Sequence, residues 1–137
     1  MQVDEAYATV DTSTFPVLSV RLADRPPSEA DIDQMFDALE TAVQAVDGRY
    51  VTLTLAQSHR IGSDARVRLG QKAAEQFERY RHREIGSVIV TPSWLTKMML
   101  QSIQILFPAH SNHQRVFSTY EKGLVYAQKL AAADREA

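Results

Sequence analysis

The chain contains no cysteine. That removes disulfides, thiolate nucleophiles and cysteine-based metal sites, and it agrees with a reducing compartment. No apolar run approaches the ~20 residues that a membrane helix requires. The opening "MQVDEAYATV" has no basic segment followed by an apolar stretch, so it does not read as a secretory signal. Neither G-x-G-x-x-G nor G-x-x-x-x-G-K-[ST] occurs, which leaves nucleotide folds of those types without support. A G-x-S-x-G nucleophile elbow is also missing. These absences lead to the expectation of a cytoplasmic protein with no integral membrane segment, no cofactor and no metal.

What is present suits one soluble domain spanning 1–137. Of 137 residues, 45% are hydrophobic and 23% charged, enough apolar material for a real core. The net charge of -2 conceals a strong segregation. Residues 1–47 carry ten acidic and two basic side chains, a local net of -8. Residues 60–83 carry seven basic and three acidic ones, a local net of +4. Such polarity fits a protein partner of mixed charge better than nucleic acid, which favours a clearly basic domain. It fits equally well two solvated helix faces of opposite sign.

Periodicity orders the elements. Tyr7–Val10 and Phe15–Ala23 alternate apolar and polar residues, and "DTST" between them reads as a turn, which predicts a hairpin. "RPPS" ends the second strand, and Ser28 is placed to cap a helix whose Ile32, Met35, Phe36, Leu39, Val43 and Val46 share one face. Asp33, Asp37, Glu40 and Gln44 take the opposite face, and Gly48 closes the helix. "YVTLTLA" (Tyr50–Ala56) is a strand, followed by "HRIGSDAR" and a helix burying Leu69, Ala73, Phe77 and Tyr80. Beside that buried face, Arg68, Lys72, Arg79 and Arg83 form a charged stripe, a candidate contact surface. "SVIVT" after Gly86 has the β-branched character of a buried parallel strand. A third helix is expected over Trp94–Phe107, then the strand "RVFST", a last helix over Tyr120–Ala133 and a frayed tail at 133–137. The order β-β-α-β-α-β-α-β-α predicts an α/β domain with a mixed, mostly parallel sheet and right-handed crossovers.

The expected third helix is apolar on most sides, with Lys97, Gln101 and Gln104 as its polar stripe. Such a helix is either deeply buried or meets a partner or an apolar ligand. Trp94, Met98 and Leu100 are the candidate interaction surface, most simply in a homodimer.

Ser63 raises the question of catalysis, regulation or capping. His59 could act as a base toward it, but no orienting carboxylate is identifiable, so no catalytic set is assigned. His110 and His113 lie three apart, whereas zinc sites need three or four protein ligands. A serine at a helix start is by default an N-cap, and Asp64 beside it faces the positive end of the helix dipole.

The element order, together with "LFPAHSNHQRVFSTYEKGLVYA" (Leu106–Ala127), resembles the STAS domain, the fold of the anti-sigma factor antagonists, and its SpoIIAA-like branch in particular. In signalling members the strand matching "YVTLTLA" leads to an aspartate-serine pair whose serine is phosphorylated by a partner kinase. Ser63 stands near that serine, with Gly62 in place of the aspartate and Asp64 after it. The resemblance implies a non-enzymatic regulatory or interaction domain acting through protein contact, with Ser63 as a candidate phosphoacceptor. Related CRAL-TRIO domains bind lipids, so a carrier of an apolar ligand is the alternative.

Overall fold

The computed structural model describes residues 6–56, 61–92 and 114–136. They form an α/β domain around a five-stranded mixed sheet. The strands are β1 (Ala8–Asp11), β2 (Val17–Leu22), β3 (Tyr50–Leu55), β4 (Glu84–Val90) and β5 (Gln114–Phe117). The helices are α1 (Glu29–Ala45), α2 (Ser63–Tyr80) and α3 (Tyr120–Glu136). The order among the described residues is therefore β-β-α-β-α-β-β-α. The helix expected over Trp94–Phe107, with Trp94, Met98 and Leu100, lies outside them.

The strands stand in sequence order across the sheet. β1 and β2 pair antiparallel as the expected hairpin, with Ala8 opposite Leu22 and Asp11 opposite Ser19. The remaining pairings are parallel. Since each crossover advances the sheet in the same direction, α1 and α2 share one face.

On that face Ile32 and Met35 of α1 meet Tyr7, Ala8 and Val20 of the hairpin and Ala65 of α2. Leu18, Val43 and Tyr50 form an adjoining cluster. Completely burying a side chain of this size contributes about 1.5–3 kcal/mol, so the apolar stripe of α1 is the main anchor of this layer. A reciprocal capping box opens α1: Ser28 Oγ accepts from the Asp31 amide, and Asp31 Oδ2 accepts from the Ser28 amide. Gly48 follows the helix at φ +123°, a conformation that favours glycine.

α3 covers the other face through a row of small residues, Gly123, Ala127 and Ala131, one helical turn apart and all buried. Ala127 and Ala131 pack on Val17, Val51, Leu53, Val88 and Val90. The helix does not fray at 133 as expected. It continues to Glu136, and Asp134 accepts a 2.9 Å hydrogen bond from Arg49 Nε. Arg49 also donates to the His82 carbonyl at 3.0 Å, so one side chain fastens the end of α3 to the turn before β4.

β4 also departs from expectation by beginning at Glu84 rather than after Gly86. Tyr50 lies opposite Glu84 and Val51 opposite Gly86, which leaves Ile85 as an extra residue on β4. The irregularity draws a carboxylate into the first position of a central strand.

Candidate functional site

α2 is where the sequence concentrated its candidate chemistry, and its two sides have different fates. The basic stripe faces α1. Arg68 grips Asp33 with two parallel hydrogen bonds, Nε to Oδ1 and Nη2 to Oδ2, both 2.8 Å. Lys72 Nζ approaches the same carboxylate at 3.9 Å. The hydrogen bonds from Arg68, then the Arg68 and Lys72 charges, hold the Asp33 carboxyl below its usual range. Further along, Arg79 Nη1 and the Tyr80 hydroxyl donate to Glu40 Oε1 at 2.9 and 3.0 Å.

Arg83, just past α2, turns back to the end of α1. Its guanidinium donates to the carbonyls of Val43 (3.0 Å), Val46 (2.9 Å) and Gly48 (3.0 and 2.9 Å). These oxygens belong to the region where a helix leaves its last carbonyls unmatched, and α1 has no basic residue in its own last turn. The stripe Arg68, Lys72, Arg79 and Arg83 is therefore engaged within the chain, against α1 and the turn that follows it. The opposite charges of the two segments meet each other within the chain.

The start of α2 corrects a second expectation. Ser63 is not the N-cap: Gly62 holds that position with φ -60° and ψ 158°, no side chain caps the helix, and Ser63 is its first residue. Among the described residues the Ser63 hydroxyl makes no hydrogen bond, and Ser63 and Asp64 are both exposed. One turn on, Val67 leaves 55% of its surface in solvent. Positions four apart share a helix face, so an unengaged hydroxyl and an exposed apolar side chain stand together. His59 lies outside the described residues.

A difference in denaturation follows. Ser63→Ala is expected to change stability by less than about 0.5 kcal/mol, as for a surface residue without a structural bond. Ser28→Ala, which removes a true cap, is expected to cost ~1 kcal/mol. Urea titration of both variants checks the contrast.

The inner side of α2 is polar to an unexpected degree. The four residues expected in the core, Leu69, Ala73, Phe77 and Tyr80, are only half-buried, whereas Ala65, Gly70 and Gln76 are buried. Gln76 sits beside the Tyr50 hydroxyl, yet neither that hydroxyl nor Gln76 Nε2 makes a well-aligned hydrogen bond among the described residues. Burial, and after it the Glu84 charge, pushes the Tyr50 hydroxyl pKa above its usual value. Glu84 is only 5% exposed, and burial pushes its carboxyl up to about 7. The sequence reading missed Glu84 because a charged residue two positions before a glycine reads as a loop.

Two surface concavities lie among the described residues. One, between the hairpin and the start of α1, is lined by Tyr7, Asp24, Arg25, Asp31 and Gln34. Its polar groups are largely engaged: Arg25 pairs with Asp31, and the Gln34 amide bonds the Ala8 backbone at 2.8 and 2.9 Å. The second, about 400 Å³, runs along α3 past Phe117, Val125 and Tyr126, with Glu121, Lys122 and Lys129 at its margins. Among the described residues no three His, Asp or Glu side chains converge as metal ligands, and no helix is long and apolar enough to cross a membrane. His110 and His113 lie outside the described residues.

Comparison with known proteins finds no matching family model, no matching curated protein and no matching solved structure.

Proposed function

We propose that this chain is a non-enzymatic regulatory domain of the STAS type, working by protein contact through the first turns of α2. One observation carries the reading: Ser63, whose hydroxyl makes no hydrogen bond among the described residues, and the exposed Val67 share one face, while Arg68, Lys72 and Arg79 of the same helix are engaged by α1. Val67 is one of several exposed large apolar side chains, with Phe15, Tyr120 and Val125, and its place one turn after Ser63 puts an apolar contact beside that hydroxyl. A hydroxyl that does no structural work at a helix start is also well placed for phosphorylation, because the helix N-terminus stabilises added negative charge. The mixed, mostly parallel sheet with its leading antiparallel hairpin supports this reading.

Affinity capture from the native host tests this reading with three variants. Wild-type protein is expected to retain a stoichiometric partner. Val67→Glu and Ser63→Asp are expected to reduce its capture at least about tenfold, the usual scale for a central contact. Val125→Glu, on α3 and equally exposed, is expected to leave capture unchanged. Equal capture by all forms, with thermal unfolding unaltered, would overturn the reading.

A carrier of an apolar ligand is the second reading, favoured by the apolar lining of the α3 groove at Phe117, Val125 and Tyr126. Native mass spectrometry of freshly purified protein distinguishes it by a bound small molecule.

A further inference from the structure

We propose that the outer edge of β1 is a pairing surface for β1 of a second copy of the chain, and that the Gln34 side chain holds this edge closed. The plug is a carboxamide standing where the backbone of an added strand would lie.

β1 is the first strand of the sheet and, among the described residues, has β2 as its one strand neighbour. Ala23 donates to the Tyr7 carbonyl, and in an antiparallel pair such bonded positions alternate with unbonded ones. Thr9 and Asp11 therefore bond across to Arg21 and Ser19, while Ala8 and Val10 turn their N–H and C=O groups away from β2. At Ala8 both groups are taken. Gln34 Oε1 accepts from the Ala8 amide at 2.8 Å, and Gln34 Nε2 donates to the Ala8 carbonyl at 2.9 Å. One side-chain amide thus makes both bonds that the facing residue of an antiparallel strand would make. Ala8 is only 2% exposed, so its backbone groups would be costly to leave without partners. Val10 has the same outward direction, and no hydrogen bond meets its amide or carbonyl among the described residues.

An edge with outward backbone groups is a template for another strand. The spacing here suits β1 itself. With two copies antiparallel and Thr9 opposite Thr9, Ala8 of each meets Val10 of the other, and two bonded pairs form about a two-fold axis. A register centred on Val10 would instead need the Thr12 carbonyl, which already accepts from the Phe15 amide at 3.1 Å. The register that completes itself therefore requires Ala8, and Ala8 is the residue that Gln34 covers. Natural sheets commonly guard their edges against such pairing, and here the guard is one side chain on α1.

Sedimentation and hydrogen exchange on the full chain read the edge without the α2 contact, so this proposal and that reading fail separately. Gln34→Met keeps the length and the helix preference of the side chain but removes the amide. Gln34→Ala is the second variant. At matched high concentration each is expected to show about twice the wild-type mass, and dilution should reverse the change. In wild-type protein the Val10 amide should exchange as an open amide at every concentration. In the variants it should gain roughly tenfold protection or more as concentration rises. Thr9 is exposed and lies opposite Arg21 within the chain. Adding Thr9→Glu to either variant would set two carboxylates directly across the axis, and should restore the wild-type mass. Folded variants that keep the wild-type mass, or that associate with the Val10 amide still open, would overturn the proposal. Loss of folding in both variants would make Gln34 a structural tie and overturn it as well.

Discussion

Gly123→Leu is expected to remove roughly 4 kcal/mol or more of stability, enough to leave a domain of this size largely unfolded at physiological temperature. A β-carbon at Gly123 would collide with Val90 Cγ2 and would also lie 3.5 Å from Leu53 Cδ1 and Val88 Cγ1. Val90 cannot swing clear, since its branched side chain is stiff and it belongs to a fully covered strand. Alanine at the same position sets two effects against each other. Helix propensity favours alanine over glycine by about 1 kcal/mol. Overpacking costs about 1–3 kcal/mol, so the net for Gly123→Ala is a loss of about 1 kcal/mol. The cause is visible in a double variant. Val90→Ala alone should cost about 2 kcal/mol by leaving a cavity. The pair Gly123→Ala and Val90→Ala should fall short of the summed losses by about 1 kcal/mol, because the new methyl occupies the vacated space. Chemical denaturation of the four proteins measures that coupling, and strict additivity would show that α3 is not seated on Val90.

Arg83→Ala should cost about 3 kcal/mol, or roughly 10 °C in Tm. The loss comes from the end of α1, where the carbonyls of Val43, Val46 and Gly48 would lose their donors. Each hydrogen bond from a charged donor contributes about 1.5–3 kcal/mol, and bonds sharing one guanidinium do not add fully. Arg83→Lys should recover less than half of the loss. An ammonium cannot reproduce the planar fork that reaches three carbonyls at once. Thermal unfolding of Arg83→Ala, Arg83→Lys and Arg79→Ala checks the order. Arg79 is mostly exposed and, among the described residues, pairs with Glu40 in a solvated setting, so its loss should stay under about 1 kcal/mol.

The elements with one clear period were readable in advance. α1 shows its apolar spacing from Ile32 to Val43, and its cap residue Ser28 performs that role. The hairpin follows from alternation across "DTST", and Ala8–Asp11 does pair with β2. Where two elements meet, periodicity was no longer sufficient. Position within α2 says that Arg68 and Arg79 share a stripe, but not that Asp33 and Glu40 face it from a helix 35 and 39 residues earlier. Ser63 shows the same limit at close range. Its residue type suits a cap, and the backbone places Gly62 there instead.

Local order is thus written in near-neighbour chemistry: side-chain periodicity, turn formers and caps act over a few residues and need no knowledge of the rest of the chain. These define the β-β-α-β-α start, the α/β class and the opposed charges of the first and middle segments. Whether a charge meets water, a partner or its own chain depends on distances set only when the sheet is assembled. That assembly sets the basic stripe against α1, leaves Val67 outside and buries Glu84 at the start of β4. The energy of a charged or apolar group depends on its surroundings in three dimensions, so its role was decided by the tertiary structure.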